Sequence, residues 1–293
     1  MAGLLTQSVS CTAVVVVLLG GEPLRRCIEP LRAHGLPILI VGPSILLAGY
    51  SDDTQEQVAI IRCDESVPRR RAIGVAAATT DWVVIIEDTC EIGPDWNRAL
   101  TELTNTEPAI AALGGPVTVS ATLNSRGIAL GCVEYGEFAP QRIGGNTSLT
   151  RLHGLCTVYR RSALSAEMPL LIDTDIQHGL IASGYQMMFR EALAVTFSAH
   201  AASMATFKSR SIHGQIYGGI LHQQLGLSAR VVAATKCLLL PPVLAARAGQ
   251  GIPLMARNRV AIWIAILSMT TGWAYGELKG VVTGSGRALE AWH

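Results

Sequence analysis

The stretch Thr80-Asp81-Trp82-Val83-Val84-Ile85-Ile86-Glu87-Asp88-Thr89-Cys90-Glu91-Ile92-Gly93-Pro94-Asp95-Trp96 decides how the chain is read. The apolar run Trp82 to Ile86 stops abruptly at acidic residues, as a buried strand does where it leaves a sheet. In open α/β sheets, ligands bind just outside the carboxyl ends of the strands. Glu87 and Asp88 are therefore candidate site residues by position alone. The Gly93-Pro94 turn follows, and Asp95 opens a helix expected to run to Thr104.

Working outward, Cys11 to Leu19 is a continuous β-branched run of the kind a parallel strand buried on both faces requires. Gly20-Gly21 breaks it. Leu24, Cys27, Ile28 and Leu31 then recur at helical spacing until Gly35. Pro37 to Val41 and Val58 to Cys63 read as further strands. Pro68 to Ala78, basic at its start and small-sided along one face, reads as the helix feeding the Trp82 strand. Ala109 to Leu113 reads as the next strand, closed by Gly114-Gly115-Pro116. The order β-α-β-β-α-β-α-β predicts an α/β sandwich with a mainly parallel sheet. From Val117 to Asn146 the pattern fades and loop is expected. Asp173-Thr174-Asp175 opens the helix Ile176 to Ala182, and Ala192 to Phe197 is a last strand.

The composition is unusually apolar. Of 293 residues, 49% are hydrophobic and 15% charged, with a mean hydropathy of +0.36; soluble domains carry roughly 25% charged residues. The excess predicts a membrane-facing surface or a large partner interface. A net charge of +1 and the lack of any basic stripe interleaved with aromatics argue against nucleic acid. The seven scattered cysteines form no disulfide framework and no structural zinc spacing, which fits a reducing compartment. Val14 to Leu19 is too short to span a bilayer.

The apolarity is concentrated late. Ala229 to Ala246 and Val260 to Tyr275 are apolar runs flanked by Arg230, Lys236, Arg247, Arg257 and Arg259. Two kinked crossings, or helices lying in the membrane interface with Trp263 and Trp273 as anchors, both fit. So does a pair of buried helices closing the α/β domain. The expected organisation is an α/β domain over residues 1–215 and an apolar helical tail over 216–293.

Four motifs in order resemble those of inverting glycosyltransferases of family 2, over about residues 10–215. They are Arg69-Arg70-Arg71-Ala72-Ile73-Gly74 leading to Asp81-Trp82 and Glu87-Asp88-Thr89, then Gly114-Gly115-Pro116-Val117, then Tyr159-Arg160-Arg161-Ser162-Ala163-Leu164, and finally Leu171-Ile172-Asp173-Thr174-Asp175-Ile176 ahead of Gly184-Tyr185. The resemblance implies a GT-A-like, Rossmann-like fold, with a mainly parallel sheet sandwiched by helices and a C-terminal apolar helical tail. It also implies transfer of a sugar, with inversion, from a nucleotide-sugar donor to a lipid-linked or glycan acceptor at the cytoplasmic face of the cell membrane.

The site that follows from the resemblance has Arg71, Glu87 and Asp88 at the donor. Glu87 and Asp88 would hold Mg²⁺ or Mn²⁺ to neutralise the departing diphosphate, and Asp173 would be the base that takes the acceptor's proton. The sequence also departs from the family pattern. Val41-Gly42-Pro43-Ser44 lacks the usual aspartate after the second strand, Thr89 stands at the third acidic position, and Ile172 precedes Asp173 in place of Glu. Glu91, His200 and His213 are weighed as replacement ligands. These departures leave a second reading open: a catalytically degenerate relative that serves as a binding or scaffolding subunit.

Overall fold

The computed structural model describes residues 11–51, 57–103, 106–143, 148–164, 170–198, 206–288 and 290. The strands are β1 (Cys11–Val16), β2 (Ile38–Gly42), β3 (Val58–Arg62), β4 (Trp82–Glu87), β5 (Cys90–Ile92), β6 (Ile110–Gly114), β7 (Val117–Val119), β8 (Ser148–Leu149), β9 (Cys156–Arg160), β10 (Gln186–Phe189) and β11 (Val195–Phe197). The helices are α1 (Gly21–Ala33), α2 (Val67–Ala77), α3 (Trp96–Glu102), α4 (Ser125–Tyr135), α5 (Asp173–Ala182), α6 (Phe207–Gln224), α7 (Leu227–Cys237), α8 (Leu240–Gly249) and α9 (Arg259–Thr283).

The chain divides into two compact units. The first comprises Met1–Pro116 and Gly144–Thr196, the second Val117–Ile143 and Phe197–His293. The boundary expected at residue 215 falls inside α6. Residues 117–143, expected as loop of the α/β domain, join the C-terminal helices instead.

The first unit is built on an eight-stranded sheet in the order β3-β2-β1-β4-β9-β6-β10-β8. The pairs β1–β2, β2–β3, β1–β4 and β6–β10 are parallel, whereas β9 runs antiparallel to both β4 and β6. This is the mainly parallel α/β sheet that the sequence predicts. β1 lies near its centre, and Val14 to Val17 are fully buried, which is why that run is β-branched throughout. Helix α2 packs against β1 through Gly74: a Cβ there would lie 2.2 Å from Val14 Cγ1. A helix joining two parallel strands runs back across the sheet. The first turns of α2 therefore lie over the carboxyl edge, where β4 ends.

The second unit is helical. Asn124 caps α4 by accepting the Gly127 N–H at 2.8 Å. Gly127 and Gly131 weaken the helical pattern in sequence, but Gly131 is needed, since a Cβ would come within 2.9 Å of Phe197 and Val119. Helices α6 and α9 meet backbone to backbone through Gly214 and Gly218 on one side and Gly276 and Gly280 on the other. This small-residue packing lets two helices approach closely. The two late apolar runs become three helices. The first breaks between α7 and α8, just before Pro241-Pro242, and the second extends to α9.

Candidate active site

The register of the sheet places every group of the site. Val16 is level with Glu87 across the β1–β4 pair, and the Asp88 N–H continues the ladder by donating to Val16 O at 3.2 Å. The Asp88 side chain then lies against the turn after β1. Its Oδ1 accepts the Leu18 N–H at 2.9 Å, and its Oδ2 accepts the N–H groups of Leu19 at 3.0 Å and Gly20 at 2.8 Å. Burial raises the Asp88 pKa, and these backbone bonds oppose the rise. Arg70 fastens the same segment, donating to Val17 O at 2.5 Å and to Glu65 O at 2.7 Å.

Successive side chains on a strand point to opposite faces, so Glu87 turns away from Asp88. It meets Arg71, which lies in the early part of α2. Arg71 Nη2 donates to Glu87 Oε1 at 2.8 Å, and Nη1 donates to Asp173 Oδ2 at 2.5 Å. Asp173 reaches this point because the segment before α5 is tied to the start of α2, with Leu171 N–H donating to Pro68 O at 3.0 Å. Gln177, one helical turn further on, clamps the backbone of Leu152 through two bonds of 3.0 and 2.9 Å. With Gln177 holding Leu152, Asp173 at i−4 faces Gly154, which sits just before β9. A Cβ on Gly154 would fall 2.3 Å from Asp173 Oδ2. Any larger residue there would force this carboxylate to move.

The resulting group is one guanidinium between two carboxylates. The Arg71 side chain is 2% exposed and Glu87 12%, but Asp173 is 21% exposed, so Asp173 is the member open to solvent. Burial alone would depress Arg71; the charges of Asp173 and Glu87 more than offset it and leave it raised. Burial pushes the Glu87 carboxyl up to about 7, against the pull of Arg71. His153 supports the strand edge from below. Its Nε2 faces Gly115 O at 3.0 Å and its Nδ1 accepts the Cys156 N–H at 3.2 Å. That pattern fixes the neutral, Nε2-protonated ring, and burial drives its pKa down to about 4.

Of the residues expected from sequence, Arg71, Glu87 and Asp173 come together, and Asp88 does not join them. Glu87 and Asp88, the expected cation pair, are engaged by different partners. Mg²⁺ at a nucleotide site is commonly held by one or two carboxylates together with the substrate's phosphates. Here the Asp88 oxygens are filled by backbone N–H groups, Glu87 is held by Arg71, and Thr89 Oγ1 donates to Glu87 Oε2 at 3.4 Å. Glu91 lies in β5 and pairs with Arg26 at 3.5 Å. His213 stands 3.2 Å from Arg210 in the second unit, and His200 lies outside the described residues. Among the described residues no group of three His, Cys, Asp or Glu side chains could hold a metal ion. Gly154, Gln177 and His153 were not foreseen from sequence. The only signal for them was their place just before β9 or one helical turn after Asp173.

No protein-family model and no curated protein matches the chain. Among solved structures, it is similar to S. aureus TarS in complex with UDP-GlcNAc, at 10% identity and a TM-score of 0.49, covering 92% of this chain and 90% of that one. It is similar to the mannosyltransferase PcManGT from Pyrobaculum calidifontis in complex with GDP-Man and Mn²⁺, at 13% identity and a TM-score of 0.48, covering 96% and 78%. It is also similar to GalNAc-T7 with UDP, GalNAc and Mn²⁺, at 14% identity and a TM-score of 0.47 over 64% of this chain. In that case it spans only 43% of the other structure's length. Likeness of this order does not identify an activity.

Proposed function

We propose that the first unit transfers a sugar, with inversion, from a nucleotide-sugar donor to a hydroxyl of a lipid-linked or glycan acceptor, with Asp173 as the base. The observation that carries this reading is the Asp173 carboxylate. It is solvent-accessible at the carboxyl edge of a mainly parallel sheet, and one oxygen is pinned by a buried arginine. Asp173 Oδ2 belongs to Arg71, and Oδ1 carries no hydrogen bond to the described residues. Oδ1 takes the acceptor's proton as the acceptor oxygen attacks the anomeric carbon, and the bond from that carbon to the diphosphate oxygen breaks on the opposite side. The nucleoside diphosphate leaves with the bonding pair. Arg71 and Glu87 act as positioning residues. Glu87 shares the guanidinium, so Asp173 is not its only counter-ion.

The test is incubation of the full chain with a panel of nucleoside diphosphate sugars, in EDTA and in Mn²⁺. Release of nucleoside diphosphate is expected, with inverted anomeric configuration in the product, and the two conditions read whether a divalent cation is needed. Release in neither condition would overturn the transfer, and retention would overturn the role of Asp173. A second reading, a sugar-nucleotide-binding subunit without turnover, is favoured by the full engagement of Asp88 with backbone. Binding without release in the same assay would decide for it.

Gly154 supplies an independent check. Gly154→Ala places a methyl group where the Asp173 carboxylate sits. A misplacement of about 1 Å costs on the order of 10²-fold in rate. Turnover is expected to fall by about that factor, while circular dichroism and donor affinity stay near wild type.

A further inference from the structure

Helix α9 is apolar on two faces. Ile262, Ile266 and Met269 are fully buried, whereas Val260, Ile264 and Leu267, at the same i, i+4, i+7 spacing, are 71%, 64% and 48% exposed. A helix that is hydrophobic all round belongs inside protein or lipid. Further exposed apolar side chains lie elsewhere in the second unit. Leu254 and Met255, between α8 and α9, are 92% and 83% exposed, and Leu238 and Leu239, at the α7–α8 break, are 71% and 68% exposed.

The charge along the chain through α7, α8 and the first half of α9 is of one sign. From Thr206 to Gly276 the sequence contains no Asp or Glu, but it has Lys208, Arg210 and five further basic residues. Lys236, Arg247, Arg257 and Arg259 are exposed. We infer that α7, α8 and the first half of α9 dock on the surface of an anionic lipid bilayer. Leu254, Met255 and the Val260–Leu267 stripe enter the headgroup boundary, and the basic residues meet the lipid phosphates. A second copy of this chain is a poor occupant, because a two-fold interface would set the same basic residues against each other. Spanning is also a poor fit. No single helix among the described residues is long and apolar enough to cross. The α7–α8 pair, bent by 56°, carries Lys236 and Arg247, and charge is costly at mid-membrane. Interfacial helices of this kind combine apolar insertion with attraction to anionic lipid.

This inference is independent of the proposed catalysis and is tested by binding alone. The full chain is sedimented with vesicles of phosphatidylcholine, or of an equal mixture of phosphatidylcholine and phosphatidylglycerol, at low and high salt. Wild type is expected to partition at least about tenfold more strongly onto the mixed vesicles at low salt. The gain should be lost in the charge-reversed Lys236→Glu/Arg257→Glu variant and reduced about tenfold in Leu254→Glu/Met255→Glu. Both variants alter only exposed side chains, and their folding is checked by circular dichroism. Three results would overturn the inference: equal partition onto both vesicle types, binding indifferent to both variants, or a dimer or protein complex that these substitutions dissolve and vesicles do not compete with.

Discussion

Asp173→Asn is expected to lower turnover by about 10²–10⁴-fold, the usual contribution of a positioned base, and to leave donor binding unchanged. The substitution is nearly isosteric. The asparagine oxygen still accepts from Arg71 Nη1, the bond that is 2.5 Å long in the native site, and Arg71 keeps Glu87 at 2.8 Å. No buried charge is stranded, so folding should not suffer. What disappears is the carboxylate of the most exposed member of this group, the one able to accept a proton. Single-turnover release of nucleoside diphosphate, set beside the dissociation constant for the same donor, separates the cases. Full turnover in the variant would remove Asp173 from the chemistry. Loss of binding together with turnover would move it to the donor side. A variant that binds and does not turn over, from a wild type that does both, is the result the geometry requires.

The mainly parallel α/β character of the first unit was legible because its signals are local. The β-branched run of β1, the small-sided face of α2 and the sharp acidic end of β4 each carry their own instruction, and short connections leave few ways to assemble them. The site was legible only in part. Arg71 and Asp173 are 102 residues apart, and nothing in either segment reveals that Leu171 is tied to Pro68. The pairing depends on the register of the whole sheet. Gly154 and Gln177 look like ordinary loop and helix residues until that register is known.

The separate placement of Glu87 and Asp88 has a reason that the sequence itself contains. Neighbouring residues on a strand face opposite sides, so Glu87 and Asp88 could converge on one ion only if the chain turned between them. The turn begins only at Asp88, whose N–H still donates to Val16 O. The missed helix α4 has another cause. Gly127 and Gly131 disfavour helix locally, and only the packing of Phe197 and Val119 against Gly131 shows why glycine is needed there.

Glu87→Gln is expected to gain stability over wild type as pH rises, by about 3 kcal/mol between pH 4.5 and pH 8, from the rise in the Glu87 pKa from 4.5 to about 7 at 1.36 kcal/mol per unit. A carboxyl whose folded pKa lies above its unfolded value binds its proton more tightly in the native state. Its contribution is therefore complete below pH 4.5 and is lost as pH climbs through about 7. The physical cause is the count of charges around Arg71: one cation between two carboxylates leaves a net negative charge in a buried place, and protonating Glu87 removes it. Gln accepts from Arg71 Nη2 as Glu does but carries no charge at any pH. His153 works in the opposite direction. Its pKa is lowered from 6.5 to about 4 by burial, so it adds stability as pH rises over that interval. Between pH 4.5 and 6.5 the two contributions nearly cancel in the wild type, and Glu87→Gln exposes the histidine slope. Urea unfolding of both proteins at pH 4.5, 6 and 8 reads the difference directly. Parallel stability curves for the two proteins would show that Glu87 is ionised throughout and that Arg71 holds both carboxylates as anions.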